Sequence, residues 1–392
     1  MKTDHRDKDQ TETTVSRRDF LATAGAAGAV ALAPGVLDAA SGPVPTANLG
    51  TTGARVSVLA AGTAFNLTPI ALRSIAREGI TYWDTAQSYA GGNSEKEIGK
   101  YFAKHGNRKD VYLVTKCGNH AVESFTSALN GSLESLQTDY VDTYFLHNLG
   151  DPDRLDDEMK ACQEKLKKEG KIRYFGFSSH HGRMIDVLER APQVGFVDTI
   201  MFKYSFRNMD DPRLQKAMDA CAEAGIGLIA MKTQGGRQPT DVTVPAWEGY
   251  TRHQAALKVV WEDERISAIC SEMVNVQQVK DNGAAARLRR GVGYLERQDL
   301  QEYAIETNHL HCRGCAHICE SRVAAGTAVA DLMRLKMYHD EYGKRRYARD
   351  LFAQMPVAAR QVDGVDFRDA ETACPFGLQV GNMVRDAVSK LA

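Results

Sequence analysis

Short apolar runs alternate with amphipathic stretches along most of the chain. From Leu49 onward, runs rich in β-branched and aromatic residues recur eight times, and a stretch with helical periodicity follows each of them. The predicted strands are 56–61, 81–86, 111–118, 141–148, 172–180, 199–205, 225–233 and 266–273. The predicted helices lie near 68–78, 94–104, 121–136, 154–168, 182–190, 211–224, 251–262 and 275–288.

This alternation predicts an α/β fold in which a parallel sheet is covered by helices. Eight strand and helix pairs are the number that closes a (β/α)8 TIM barrel. An open, doubly wound sheet is the alternative. That fold usually has a glycine-rich GxGxxG turn after its first strand, and no such turn follows residues 56–61. Polar residues also follow several different strands, which favours the barrel.

Four of these polar residues suit carbonyl chemistry. Asp84 lies in the second predicted strand and Tyr89 follows that strand, while Lys116 and His147 lie near the ends of the third and fourth. A tyrosine hydroxyl can protonate a developing alkoxide, but its ordinary pKa of about 10 is high for that work. We expect Lys116 to lower the pKa of Tyr89 and Asp84 to hold Lys116 in place. A neutral His147 would orient the carbonyl by hydrogen bonding.

At these four residues the chain resembles the aldo-keto reductases. The Asp, Tyr, Lys and His tetrad of that family matches Asp84, Tyr89, Lys116 and His147 in residue type, order and spacing. The resemblance extends over roughly residues 49–290. It implies a barrel enzyme that transfers hydride between a nicotinamide cofactor and a small carbonyl or sugar-like substrate.

The resemblance also implies where the cofactor binds. The expected cofactor residues are Ser178, Ser179, Met231, Lys232, Gln278 and Asn282. The two serines match the strand end that holds the nicotinamide carboxamide. Gln278 and Asn282 match the helix that binds the adenosine phosphate side.

Three departures from the family pattern leave the choice of cofactor open. Met201 replaces a common glutamine, Met231 and Lys232 stand where many members have a stacking tyrosine, and Glu272 lies in a motif that usually resembles Ile-Pro-Gly-Met. The carboxylate of Glu272 would repel a 2′-phosphate, and no Arg or Lys lies between 266 and 279. The sequence therefore favours neither NADP nor NAD over the other.

A separate group of cysteines lies in the C-terminal part of the chain. Cys312, Cys315 and Cys319 form a C-x2-C-x3-C triplet, and Cys374 precedes a proline. This pattern is typical of ferredoxin-type sites, so we predict one 4Fe-4S cluster that transfers electrons or stabilises the fold. The segment also resembles the extension of iron–sulfur aldo-keto reductases. A structural zinc ion and disulfides remain alternatives, although structural zinc usually uses two Cys-x-x-Cys pairs.

The first 40 residues differ from the rest. Residues 1–15 are polar, and Ser16-Arg17-Arg18-Asp19-Phe20-Leu21 follows them, before a mildly apolar segment rich in alanine and glycine. This is the form of a twin-arginine signal, so we predict export to the periplasm or another extracytoplasmic compartment. A membrane anchor is the alternative. The segment is short and weakly hydrophobic, so we expect no stable span.

The predicted organisation has four parts: a signal at 1–40, a linker at 41–48, the barrel at 49–299 and a helical cluster domain at 300–392. The length of 392 residues exceeds one barrel of about 250 residues, and the hydrophobic content of 43% allows a sizeable core. A net charge of −1 gives no electrostatic argument for nucleic acid. Within the last part, residues 324–355 are predicted to form a solvated helix pair that covers the cluster.

These observations predict an exported oxidoreductase that interconverts a carbonyl and an alcohol, with a redox partner for the cluster. The alternative is an exported iron–sulfur electron-transfer or binding protein whose barrel no longer transfers hydride. Met201 and Glu272 favour that alternative, and the tetrad opposes it.

Overall fold

The computed structural model describes residues 42–65, 67–234, 251–288, 291–323 and 326–392. The predicted signal at 1–40 lies outside these residues. Residues 42–392 group into one compact unit, which contains both the barrel and the C-terminal helices.

Eight parallel strands form the barrel. They are β3 (Leu59–Gly62), β4 (Tyr82–Asp84), β5 (Tyr112–Cys117), β6 (Val141–Leu146), β7 (Ile172–Ser179), β8 (Thr199–Lys203), β9 (Gly227–Met231) and β10 (Ile266–Glu272). The closed order is β10-β3-β4-β5-β6-β7-β8-β9, and every neighbouring pair is parallel. The predicted (β/α)8 barrel is therefore confirmed.

A short hairpin precedes the barrel. Its strands, β1 (Thr46–Asn48) and β2 (Arg55–Ser57), pair antiparallel. The hydroxyl of Tyr174, near the start of β7, donates a 2.7 Å hydrogen bond to the carbonyl of Thr52. The hairpin thus packs at the amino end of the barrel. The predicted strand at 56–61 is consequently two strands, and the predicted linker contains β1.

A helix follows each barrel strand on the outside. These helices are α1 (Pro69–Arg77), α2 (Asn93–His105), α3 (Val122–Leu136), α4 (Asp157–Lys168), α5 (Met184–Val194), α6 (Pro212–Glu223), α7 (Arg252–Val260) and α8 (Val276–Leu288). Local signals start several of them: Asp211 caps α6 directly before Pro212, and Thr251 forms a capping box with Gln254 at α7. Within the described ranges, no helix is long and apolar enough to cross a membrane.

Inward-facing side chains alternate along the barrel strands, because successive strand residues point to opposite faces. The interior cluster contains Ala60, Tyr82, Tyr112, Val114, Phe145, Met201, Ile229 and Ala268. The next inward positions toward the carboxyl ends are Asp84, Lys116, His147 and Lys203. The same alternation that builds the core therefore delivers polar groups to the barrel mouth.

The C-terminal helices have a core of their own. They are α9 (Tyr294–Glu306), α10 (Ala316–Cys319), α11 (Val329–Asp340), α12 (Arg345–Gln354), α13 (Arg368–Ala373) and α14 (Val380–Leu391). The second hydrophobic cluster contains buried residues from Cys319 to Leu391, whereas Leu300 and Tyr303 of α9 belong to the barrel core. The expected boundary at residue 300 falls inside α9, because this helix packs on the barrel.

Candidate active site

The four predicted catalytic residues lie together at the carboxyl end of the barrel. Asp84 ends β4, Lys116 lies in β5, His147 follows β6 directly, and Tyr89 begins a short 3-10 turn after β4. All four line one cavity of about 570 Å³. This is the end of a parallel barrel at which active sites are built.

Lys116 and Asp84 form a buried ion pair. The Lys116 Nζ lies 2.6 Å from Asp84 Oδ1 and also donates a 2.7 Å hydrogen bond to the carbonyl of Thr85. Burial raises the pKa of Asp84, and the charge of Lys116 opposes that shift. Asp84 therefore lies where it can hold Lys116 in place, which is the role that the sequence predicts for it.

Tyr89 lies beside this pair, with Lys116 Nζ 4.8 Å from the centre of its ring. Burial raises the pKa of Tyr89 well above its usual value, and the charge of Asp84 adds to the shift. This direction is opposite to the sequence-based expectation, because burial, the largest cause, disfavours the charged phenolate. Near neutral pH Tyr89 is therefore a protonated hydroxyl, the form that can donate a proton.

His147 packs edge-on against Tyr89, with 5.5 Å between the ring centres. Burial lowers the pKa of His147 well below its usual value, and the charge of Lys116 adds to this effect. The imidazole is therefore neutral near pH 7. A neutral imidazole carries one N–H donor, with which it can orient a carbonyl oxygen.

The backbone turns sharply beside three residues that line the cavity. Ala90, Asn148 and Lys232 have φ angles of 50°, 56° and 61°, and each directly follows a lining residue of a strand or turn. Residues other than glycine are uncommon in this left-handed region, and such conformations cluster at functional sites. The three turns orient the ends of β6 and β9 and the Tyr89 turn around the cavity.

Five of the six predicted cofactor residues line the same cavity: Ser178, Met231, Lys232, Gln278 and Asn282. Ser179 does not. Its side chain is fully buried, and its hydroxyl donates a 2.7 Å hydrogen bond to the carbonyl of Leu149. Successive residues of β7 point to opposite faces, so only one of the two serines can face the interior. The prediction for Ser179 as a cofactor contact is therefore not supported by this geometry.

The side of the cavity near α8 has a closed ring of hydrogen bonds. Asn282 Nδ2 donates to Ser271 Oγ at 3.1 Å, Ser271 donates to Gln234 Oε1 at 2.7 Å, and Gln234 Nε2 donates to Asn282 Oδ1 at 3.0 Å. Gln278 accepts a 2.9 Å bond from the backbone N–H of Val274. Gln234 was missed by the sequence analysis, because it follows β9 in a loop with no motif of its own.

The C-terminal helices complete the cavity wall, which the sequence analysis also missed. Tyr338 of α11, together with Tyr342 and Tyr347, lines the cavity, and Lys232 donates a 2.9 Å hydrogen bond to the Tyr338 hydroxyl. Tyr338 is only 3% exposed. The predicted solvated helix pair at 324–355 is therefore wrong for this face. The three tyrosines between 338 and 347 were the available signal that this stretch has a buried face.

The four predicted cluster ligands line a separate small cavity. Cys312, Cys315, Cys319 and Cys374 are free thiols that surround it together with apolar side chains. Among the described residues, no group of three or more His, Cys, Asp or Glu side chains could hold a metal ion as placed. The iron–sulfur cluster therefore stays a prediction.

The barrel and the four polar residues at its mouth define an oxidoreductase of the aldo-keto type. Residues 56–282 match the model of the Aldo/keto reductase family, and the chain belongs to this family. The predicted family is thus confirmed. The match ends within α8, so the C-terminal helices and the four predicted cluster cysteines lie beyond it.

Two relatives with assigned activities illustrate the similarity. L-galactose dehydrogenase of Arabidopsis thaliana is 29% identical over 264 residues, which are 59% of this chain and 81% of that protein. Methylglyoxal reductase YeaE of Escherichia coli is 40% identical over 111 residues, 28% of this chain and 38% of the relative.

Solved structures agree with the barrel. The holo form of aldo-keto reductase AKR11C1 from Bacillus halodurans is 25% identical, with a TM-score of 0.55, and the match covers 66% of this chain and 96% of that one. An aldo-keto reductase from Klebsiella pneumoniae in complex with NADPH is 26% identical, with a TM-score of 0.53 and coverage of 65% and 93%.

Proposed function

We propose that the protein uses a nicotinamide cofactor, NADP or NAD, to interconvert a small carbonyl compound and its alcohol. The observation that supports this most directly is the arrangement of Asp84, Tyr89, Lys116 and His147 in one cavity with five of the expected cofactor residues. The solved relative in complex with NADPH supports a nicotinamide cofactor.

The residues of the tetrad cavity have different roles in the proposed reaction. A nicotinamide cofactor, when bound, would supply or accept hydride. Ser178 and Met231 would hold its nicotinamide, and Gln278 and Asn282 would hold its adenosine phosphate side. Neutral His147 orients the carbonyl, and Tyr89 donates its proton to the oxygen as negative charge develops there. The Lys116 ammonium, fixed by Asp84, then favours the tyrosinate that remains.

Replacement of Tyr89 by phenylalanine tests this function. We expect a loss of turnover of at least about 10²-fold, since general acid catalysis contributes 10²–10⁴-fold, while NADPH or NADH binding measured by fluorescence is retained. Tyr101→Phe is the matched control, because Tyr101 lies on α2 and does not line the cavity. Equal activity of Tyr89→Phe and the control would exclude Tyr89 as the proton donor.

One observation favours a second candidate function, an iron–sulfur electron-transfer or binding protein whose barrel no longer transfers hydride. Met201 is buried and lines the cavity where the family commonly has a glutamine that contacts the cofactor. Nucleotide binding separates the two candidates. The enzyme should bind NADPH or NADH and lose affinity in Ser178→Ala, whereas a barrel without hydride chemistry should bind neither.

We also propose a 4Fe-4S cluster at Cys312, Cys315, Cys319 and Cys374. In such a cluster each thiolate binds a different iron, so the ligands surround a cavity instead of converging on one ion. The placement of all four thiols around one cavity supports this proposal. A single zinc ion would require sulfur atoms all at about 2.3 Å from one point.

Metal analysis of anaerobically purified protein tests the cluster. We expect about four iron and four sulfide per chain, and their loss in Cys374→Ser. Cys162→Ser is the matched control, because Cys162 lies on α4 among the barrel helices. Stoichiometric zinc, or iron that survives in Cys374→Ser, would contradict the proposal.

Export by the twin-arginine route to the periplasm is proposed from residues 16–21. A folded protein with its cofactor already bound is a suitable passenger for that route. Cell fractionation should find the wild type outside the cytoplasm. A variant with Arg17→Lys and Arg18→Lys should remain in the cytoplasm. The same distribution of both would contradict export by this route.

A further inference from the structure

A second cavity, of about 460 Å³, lies between the barrel mouth and the C-terminal helices. It shares His180, Lys232 and Tyr342 with the tetrad cavity, so the two cavities adjoin. On its other side it shares Cys312, Arg313 and Met333 with the cysteine cavity. We call it the cationic cavity, because most of its charged side chains are basic. These basic residues are Lys203, Arg207, Lys232, Arg313, Arg334 and Lys336.

Two of these cations already have carboxylate partners. Arg334 pairs with Asp331 at 2.9 Å, and Lys336 pairs with Asp386 at 2.6 Å. Within the part of the chain that the structure describes, the other four have no carboxylate within ion-pair distance. Their hydrogen bonds go to carbonyl, hydroxyl and amide oxygens instead.

Two acidic residues also line the cavity, fewer than its six basic side chains. Asp340 pairs with Lys336 and, at 3.0 Å, with Lys390. Glu341 lies 3.6 Å from His311 Nδ1. The lining therefore keeps an excess of positive charge.

Lys203 projects from the barrel into the cationic cavity. It ends β8 two residues after Met201, which faces the barrel interior, so strand alternation directs Lys203 into the mouth. Its Nζ donates a 2.8 Å hydrogen bond to the carbonyl of Arg313.

His180 provides a further unused polar group at the junction of the two cavities. Its Nδ1 is buried and has no hydrogen-bond partner among the described residues. Burial also lowers its pKa well below the usual value, so the ring is neutral and has one donor. Buried polar groups without partners are rare, and a bound ligand is one common explanation.

We propose that the cationic cavity binds an anionic group of the substrate, a carboxylate or a phosphate, and so presents an acidic aldehyde or ketone to the tetrad. Lys203 supplies a point charge, and the planar guanidinium of Arg313 suits two oxygens of one oxyanion. An anion here offsets the cost of burying these cations. The role of the site in substrate choice rests on the proposed carbonyl chemistry, whereas the binding of an anion there does not.

Direct binding tests the site without turnover. Succinate and inorganic phosphate are titrated into the full-length protein by calorimetry at low ionic strength. We expect saturable binding that weakens about tenfold or more in Lys203→Gln and in Arg313→Gln, two variants that keep polar side chains. Lys216→Gln, an exposed change on α6, is the matched control. No binding by the wild type, or an equal loss in the control, would overturn the proposal.

Turnover tests the role in substrate choice. The probes are 4-carboxybenzaldehyde and its neutral counterpart, methyl 4-formylbenzoate. We expect the wild type to have a kcat/KM about tenfold higher for the acid, and Lys203→Gln to lose that preference while keeping its activity on the ester. Equal kcat/KM values for the two probes in the wild type would overturn the substrate class. If neither probe reacts while succinate binds, the carbonyl chemistry fails and the anion site stands.

The phosphates of the cofactor are the other source of such an anion. Affinity for NADPH and NADH is therefore measured by fluorescence in Lys203→Gln, and we expect no change. Weaker nucleotide binding with unchanged succinate binding would assign the cationic cavity to the cofactor and overturn the proposal.

Discussion

The ammonium of Lys116 lies 2.6 Å from the carboxylate of Asp84, and the two side chains are only 1% and 3% exposed. This ion pair is the centre of the proposed active site. The pair fixes the Lys116 ammonium beside the Tyr89 ring, and the Asp84 carboxylate offsets most of the charge of that ammonium. The tetrad is therefore poised to donate a proton from Tyr89, and the lysine can stabilise the tyrosinate only after that proton has moved.

Breaking this pair should destabilise the fold. Asp84→Asn leaves the Lys116 charge buried without a counter-charge, so we expect the free energy of unfolding to fall by about 3–5 kcal/mol. Urea denaturation measures this change. Glu97→Gln removes the exposed pair with Lys100 and should cost no more than about 1 kcal/mol. Equal losses in the two variants would contradict a special role for the buried pair.

Stability should also fall in acid because of His147. Its pKa is lowered in the folded state, so between that value and the ordinary pKa of about 6.5 the unfolded chain binds more protons than the folded chain. The contribution of His147 is complete above about pH 6.5 and is lost as the pH falls toward the folded pKa. His147→Gln should therefore flatten the decline in unfolding free energy below pH 6.5.

The exposed His309 supplies the control for that experiment. His309→Gln should leave the pH dependence of the wild type in place. A His147→Gln variant whose stability declines as steeply as that of the wild type would show that other groups cause the loss.

Glu272 should set the balance between the two nicotinamide cofactors. It lines the tetrad cavity, and its Oε1 accepts a 3.0 Å hydrogen bond from the backbone N–H of Phe65. Glu272→Gln keeps an oxygen acceptor for that bond and removes the charge that would repel a 2′-phosphate. We expect the ratio of NADPH to NADH affinity to rise about threefold to tenfold.

Fluorescence titration of both cofactors measures that ratio. Glu264→Gln, an exposed change before β10, should leave it unaltered. A fall in the ratio for Glu272→Gln would mean that the carboxylate does not face the 2′ position.

The register of β7 and the packing of α9 could not be predicted from the sequence. The apolar run at 172–180 predicts a strand, but it does not tell which of two adjacent serines faces the cavity, and the structure places only Ser178 there. The register of β7 between its neighbours decides this. The helix at Tyr294–Glu306 likewise has no clear apolar stripe, so only its contacts show that it belongs to the barrel core.

The sequence by itself determined the barrel and the tetrad, because strand periodicity and the position of a polar residue at a strand end are local properties. In a parallel barrel every such end opens at one face, so Asp84, Lys116 and His147 meet once the strands pair. Only the tertiary structure decided that burial raises the pKa of Tyr89. It also brought Tyr338 and the cationic cavity to the mouth, since contacts between residues more than a hundred positions apart leave no local pattern.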